Sequence, residues 1–337
     1  MNKMKKFIAL LLAAVMVFAM AACAPAAEQD GGKTTYAIVC KDGSNPYMKR
    51  MVSGFKTACE ALGVDFIEKS PATTSVEDQK EIVNQLAAQG VKAIAIAAND
   101  AAALEATLTE ARNRGIAIVT LDSDTKGSQM FINQAGVKEV AQVLVDSIYD
   151  MAGGAGEFAV LSASSTATNQ NAWIAAMDEI IKADSKYANL VWKETVYGDD
   201  EPTKSTTETQ NLMTKYPDLK VICCPTTVGV LACAKAVEGT SIKVAGLGLP
   251  SEMKEYVGED KACPYMYLWN PIDVGNCAAY AIKAILDGKV GEAGTSFTAD
   301  NGTTYEISAG DPAEKQIIVG PPFKFDGANI GEWADVY

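Results

Sequence analysis

From residue 34 onward, short apolar runs rich in β-branched residues alternate with amphipathic stretches of roughly ten to fifteen residues, and the alternation runs through the chain twice. In the first pass the candidate strands are TYAIVC (35–40), VDFIE (64–68), AIAIA (93–97) and IAIVTL (116–121), separated by amphipathic stretches near 48–62, 76–89 and 101–113. Strands with so little polar content are buried on both faces, which requires a parallel sheet covered by helices on each side. Ser75 followed by Asp78 gives the middle helix a capping box. In the second pass, strands near 157–161, 190–196, 219–223, 243–246 and 264–268 alternate with helices near 137–151, 172–183, 203–215, 228–237 and 272–286. The expected fold class is therefore α/β, two doubly wound parallel-sheet halves of similar size, with the first boundary near Phe131 to Gln134. Past Leu286 the pattern weakens into glycine-rich loops and the short pair TYEIS and QIIVG, a tail suited to crossing back as part of a hinge.

In open parallel sheets ligands bind beyond the carboxyl ends of the strands. Those positions hold Lys41, Asn45 and Tyr47; Asn99 and Asp100; Asp122, Ser123 and Asp124; Asn169, Gln170 and Trp173; Pro225 and Thr227; Trp269 and Asn270. Amides, carboxylates and aromatic rings together suit a neutral polyhydroxylated ligand. Each sugar hydroxyl needs a partner when buried, at about 1–3 kcal/mol if left without one, and aromatic faces cover the C–H side of a ring. Singly, each such residue reads as a loop cap or turn residue; their convergence on one edge of both sheets favours a site. Asp122 sits at a strand end rather than in the core, so its removal is expected to cost binding and little stability.

The N-terminus bears on location. Lys3, Lys5 and Lys6 precede a 14-residue apolar run, Phe7 to Met20, which ends at Ala21-Ala22-Cys23. That is the pattern of a secretory signal, too short for a comfortable membrane span, and small residues before a cysteine fit lipidation at Cys23. Residues 1–22 then form the signal peptide and residues 23–33 a flexible tether. Loss of its three lysines takes the formal charge from -13 to -16, and an acidic surface argues against nucleic acid as a partner. The remaining 315 residues suit two domains.

Several chemistries are removed by what the chain lacks. It has no histidine, which excludes Ser-His-Asp and Cys-His catalysis and the commonest transition-metal ligand. Its eight cysteines show no C-x-x-C spacing, so no zinc knuckle or disulfide framework is indicated; the Cys223-Cys224 pair reads as packing. DSDTKG from Asp122 fails as a calcium loop, with Lys126 in the fifth place and Asn133 in the twelfth. GLGLPS (246–251) lacks the third glycine of a dinucleotide fingerprint, and no phosphate-binding G-x-x-x-x-G-K-[ST] occurs. Asp122 and Asp124, two apart on an extended chain, point to opposite faces and do not form a glycosidase pair. No cofactor and no metal are expected.

The motifs KDGSNPY, GVKAIAIAAND, LDSD, TATNQNAWIAAMDE, CPTTVGVLACAKAVE, GLGLPSEM and LWNPIDVG resemble the solute-binding proteins of bacterial ABC importers. The resemblance spans nearly the whole chain after the signal peptide and lies in the ribose-type branch, nearest the subfamilies that bind rhamnose and autoinducer-2. It implies a type I periplasmic binding protein, with two lobes joined by a three-crossover hinge that close on one small sugar or sugar-like ligand. The lobes are expected as 34–132 with 271–303, and 133–270 with 304–337. By the autoinducer-2 pattern Lys41, Asp122, Gln170 and Pro225 fall on ligand-contacting positions. Asn169 stands where that pattern has aspartate and Thr227 where it has alanine, while Asn270 resembles the rhamnose version. Leu121 replaces the usual tryptophan. The ligand-binding set read in this way is Lys41, Asn45, Tyr47, Asp122, Asn169, Gln170, Pro225, Thr227, Trp269 and Asn270.

The implied role is a monomeric, lipid-anchored extracytoplasmic receptor that hands its ligand to an ABC permease and its ATPase subunit. Asn169 in place of aspartate tilts the ligand toward a neutral pyranose. The alternative is an extracytoplasmic carbohydrate-active enzyme using Asp122 with Lys41.

Overall fold

A computed structural model describes residues 34–337; the expected signal peptide, Cys23 and the tether lie outside the described residues. The first sheet is built from β1 (Thr35–Val39), β2 (Asp65–Glu68), β3 (Ala93–Ile96), β4 (Ala117–Leu121) and β5 (Met130–Asn133). Along β1 the side chains divide by alternation: Tyr36, Ile38 and Cys40 enter one core, Ala37 and Val39 the other. That period of two explains why β1, β3 and β4 carry no polar face. Of these five strands only β2, at the sheet edge, is half-open.

Helices α1 (Pro46–Leu62), α2 (Val76–Ala88) and α3 (Ala101–Asn113) connect these strands. Ser75 caps α2 as the sequence indicates, its hydroxyl accepting from Asp78 N at 3.2 Å. The second sheet is built the same way from β6 (Gly156–Ser162), β7 (Leu190–Tyr197), β8 (Leu219–Cys224) and β9 (Lys243–Gly246). Its helices are α4 (Val137–Met151), α5 (Thr168–Ala183), α6 (Pro202–Lys215), α7 (Thr227–Ala236) and the short α8 (Pro250–Met253). Strand β10 (Tyr265–Leu268) joins this sheet through a parallel bridge between Leu247 and Tyr267.

Both sheets thus follow one winding. The first runs β2-β1-β3-β4-β5 and the second β7-β6-β8-β9 with β10 bridged to its far edge. In each, the chain winds first to one side and then to the other, so a crevice opens between the first and third strands of each sheet.

Three crossovers join the lobes: β5 into α4, β10 into α9 (Pro271–Leu286), and a return from β14 (Lys315–Ile318) to β15 (Phe323–Asp326). Here the structure corrects the expected boundary at residue 303. The segment after α9 forms the small pair β11 (Ser296–Thr298) and β12 (Thr304–Glu306), then β13 (Ser308–Ala309) antiparallel to β14. Strand β14 pairs in parallel with β5, Gln316 beside Phe131, so residues up to 318 extend the first sheet. Only β15, antiparallel to β10, belongs to the second. Hydrogen-bonding with the open edge of β5 decides this, and the sequence of so short a strand does not show it.

Helix α9 returns from the second lobe and packs on α1 and over β3, β4 and β5. The two helices approach through paired glycines. A Cβ on Gly275 would lie 1.8 Å from Met51 O, and one on Gly54 1.9 Å from Ile272 O. Backbone stands in the way, so a substitution must push the helices apart. All seven described cysteines are buried and unpaired. Cys223 and Cys224 lie inside β8 and pack; burial likewise pushes the Cys59 thiol up to about 12.

Gly275→Ala is therefore expected to destabilise the protein by about 3 kcal/mol, at the upper end of overpacking costs. Gly331→Ala, where a Cβ meets nothing within 4 Å, is the control and should leave stability unchanged or slightly raised. Urea unfolding of both variants checks this, and an unchanged midpoint in Gly275→Ala would contradict the helix contact.

Candidate functional site

The cleft between the lobes lies where the strand order places it. At its floor the Lys41 ammonium, after β1, pairs with Asp122 Oδ2, after β4, at 2.8 Å. Both side chains are under a tenth exposed. Asp122 adopts the left-handed backbone, φ 63°, which turns its carboxylate out of the sheet and toward Lys41. The second lobe meets this pair with Asn169, in the first turn of α5. Its Nδ2 donates to Asp122 Oδ2 at 3.2 Å, and its Oδ1 accepts from Lys41 Nζ at 3.4 Å. A further bond crosses the cleft from Thr166 Oγ1 to Asn99 O, at 3.0 Å.

Around this network lies a pocket enclosing about 370 Å³ of atom-free space, the open solvent at its mouth included. Lys41, Asn45, Asp122, Asn169, Gln170 and Thr227 supply its polar wall, and Tyr47, Trp173, Pro225 and Trp269 its aromatic and proline faces. Trp269 Nε1 donates to the Tyr47 hydroxyl at 2.7 Å and its ring packs on Trp173, centroids 5.6 Å apart. Burial, with Asp122 adding, pushes the Tyr47 phenol well above its ordinary value. Gln170 is held by Ser162 Oγ and Ala163 N, both donating to its Oε1, at 2.6 and 2.7 Å.

One of the ten expected site residues stands apart. Asn270 does not line the cavity; its side chain accepts from Ile272 N at 3.0 Å and caps α9. An asparagine before Pro-Ile-Asp is a strong N-cap, and the local bond uses its acceptor. Other strand-end residues also serve the scaffold. Asp100 caps α3 through Ala103 N, and Asn99 donates to Lys41 O. Asp124 accepts from Thr120, Thr125, Ser128 and, across to the returning segment, Ala313 N. Burial still pushes its carboxyl up, against those four donors.

The sequence reading passed over Asp200, Thr226, Met48, Leu247 and Leu268, which complete the lining. Asp200 was available to the strand-end rule itself, since it follows β7 by three residues. Of the apolar three, Met48 lies inside α1, Leu268 ends β10 and Leu247 directly follows β9, and none carries a polar signal. Among the described residues no group of three or more cysteine, aspartate or glutamate side chains could hold a metal ion.

Residues 36–290 match the profile of the periplasmic binding protein domain. The chain belongs to that family. The resemblance read from its motifs holds, as does the type I fold. A solved ABC-transporter solute-binding protein from Clostridium phytofermentas, with bound L-rhamnose, is 47% identical. The match covers 91% of this chain and 99% of that one, with a TM-score of 0.87. LsrB from Clostridium saccharobutylicum, in complex with AI-2, is 21% identical over 89% of this chain and 99% of its own, TM-score 0.83, which is a likeness of fold. The D-allose-binding periplasmic protein of Escherichia coli (strain K12) is 26% identical over 269 residues, 75% of this chain and 83% of that protein.

The buried pair corrects the expectation that Asp122 matters little to stability. Removing one partner of a buried pair leaves a charge uncompensated, at about 3–5 kcal/mol. Asp122→Ala should therefore lower the unfolding midpoint markedly. Asp122→Asn should lower it less, because asparagine tolerates the left-handed backbone and keeps an acceptor. Thermal unfolding of both variants decides, and an Asp122→Ala protein as stable as wild type would show that Lys41 hydrates at no cost.

Proposed function

We propose that this protein is the substrate-binding component of an ABC sugar importer and that its ligand is a neutral 6-deoxyhexose of the L-rhamnose class. The observation that carries the reading is the mixed lining of the cavity. Carboxylate, ammonium and amide groups supply its polar part, while Trp173, Trp269, Met48, Leu247 and Leu268 supply its apolar part. A pyranose with several ring hydroxyls and a methyl group in place of a sixth hydroxyl needs both. The rhamnose-bound relative at 47% identity supports the assignment.

Asn169 fits a neutral ligand for a stated reason. As an amide it donates to Asp122 across the cleft; an aspartate there would set two carboxylates against each other as the lobes close. Closing around the ligand is the act of binding, and the three crossovers are the hinge. Asp122 and Lys41 hold each other and Asp124 is occupied within the scaffold, which leaves no pair of free carboxylates in the cavity among the described residues, and the site holds a sugar without doing chemistry on it. The receptor acts outside the cytoplasm as a monomer, tethered by lipid at Cys23, and passes the sugar to a permease with its ATPase subunit. It uses no cofactor and binds no nucleic acid.

Calorimetric titration tests the ligand. L-rhamnose should bind at least tenfold more tightly than L-mannose, which differs by the sixth hydroxyl, because the apolar wall leaves that hydroxyl without a partner. Asp122→Ala should weaken rhamnose binding about tenfold to a hundredfold, the loss of one hydrogen bond to a charged group. Asn169→Asp should weaken it too. Equal affinity for the two sugars would remove the deoxyhexose assignment, and failure to bind any of a panel of neutral sugars would remove the sugar reading.

The anchor has its own test. Cys23→Ser, expressed in a host that processes lipoproteins, should shed the protein from the membrane fraction into the soluble fraction with its affinity intact. Retention on the membrane would show that another feature holds it there.

A further inference from the structure

We infer that Asp200 is a specificity-determining residue of the cleft: a second-lobe carboxylate, positioned by Thr226, that accepts a hydrogen bond from a ring hydroxyl of the bound sugar. The inference rests on the sugar-binding reading and adds to it a contact from the lobe that faces Asp122.

The backbone is the first observation. Among the described residues the non-glycine residues at positive φ are Asp122, Asp199 and Asp200, with φ 63°, 53° and 53°. Such conformations persist where the surroundings fix them, and they cluster at functional sites. Asp199 has a local use for its side chain, which pairs with Lys204 on α6. Asp200, half-buried, lines the cavity and the neighbouring pocket beside Pro202 instead. Backbone bonds hold the turn in place: Gly198 N donates to Ser162 O at 2.9 Å and Asp199 N to Ala163 O at 2.8 Å.

Thr226 is the second observation. It occupies the N-cap position of α7, where a threonine hydroxyl ordinarily accepts from its own helix. Here it makes no cap bond, and its hydroxyl donates to Asp200 Oδ1. The side chain has been turned from a scaffold task to holding the carboxylate.

The third observation is a shortage of donors. Asp122 receives Lys41, Asn169 and Ser123, and Asp124 receives four donors. Asp200 receives Thr226 alone among the described residues. Its carboxyl is accordingly pushed up by burial, with Asp122 and Asp42 adding and Thr226 and Lys41 opposing. A carboxylate with spare acceptor capacity, lining the cleft between the lobes, is what a hydroxyl donor requires.

Four variants test the assignment: Asp200→Asn, Thr226→Val, Thr226→Ser and the double Asp200→Asn/Thr226→Val. Each is titrated by calorimetry with the tightest-binding sugar of a neutral panel that includes L-rhamnose, and each is checked by thermal unfolding. Asparagine keeps the left-handed turn and the bond from Thr226 while replacing the outer oxygen by a donor. Asp200→Asn should weaken binding at least tenfold with little change in the unfolding midpoint. Thr226→Val should weaken it about threefold to tenfold, Thr226→Ser should restore it to within about twofold, and the double variant should bind no worse than Asp200→Asn. Asp200→Asn that binds like wild type overturns the contact, and additive losses in the double variant overturn the positioning by Thr226. Wild type that binds no sugar of the panel removes the sugar reading and this assignment together, whereas wild type that binds while Asp200→Asn is unaffected removes this assignment alone.

Discussion

The ion pair of Lys41 and Asp122 sets the terms for the rest of the molecule. Taking two charges out of water costs several kcal/mol per ion, and their attraction offsets that only when further hydrogen bonds complete the shell. The first lobe does not complete it. Asn169, on the other lobe, supplies a donor to the carboxylate and an acceptor to the ammonium. When the lobes separate, water takes the place of Asn169; when they close, the amide or a ligand hydroxyl must do so. Closure is thus coupled to satisfying one buried pair, and a ligand whose hydroxyls meet that pair favours the closed arrangement.

That coupling needs the two lobes to present their sites face to face. Identical winding accomplishes it: each sheet opens a crevice between its first and third strands, and three crossovers on one side hold both crevices in register. The tight seam of α1 and α9 matters for the same reason. Helix α9 follows directly from the Trp269–Asn270 segment, and Trp269 reaches back to Tyr47 on α1. A loose seam there would let the aromatic wall of the cavity drift relative to its charged floor.

How much of this the sequence shows depends on the length scale of the signal. Periodicity over ten or more residues reveals the strands and helices that make the two sheets. Strand ends then locate Lys41, Asp122, Asn169 and Gln170, because the position of a site in a doubly wound sheet follows from winding alone. The return segments TYEIS and QIIVG were legible but their pairing was not, because four residues such as Lys315–Ile318 carry no period and the partner edge of β5 lies about 180 residues away. Met48, Leu247 and Leu268 look like any core residue until the two lobes face each other. Asp200 was missed for a different reason: β7 was recognised, but the turn after it was not read with the others.

Caps explain the remaining ambiguity. At the end of a parallel strand the next helix begins, so the residues best placed to meet a ligand are also those best placed to cap. Asparagine, aspartate and threonine do both, and composition does not separate the tasks. Geometry does. Asn270 and Asp100 spend their oxygens on their own helices, and Asn45 spends one on α1 while still facing the cavity. Helices α5 and α7, which open on the cavity from the second lobe, begin without any side-chain cap. A capping residue whose side chain is turned away from its helix has forgone about 1 kcal/mol of local stability, and that cost persists where the side chain serves something outside the helix. Thr226 is such a residue, and the carboxylate it holds faces the space between the lobes.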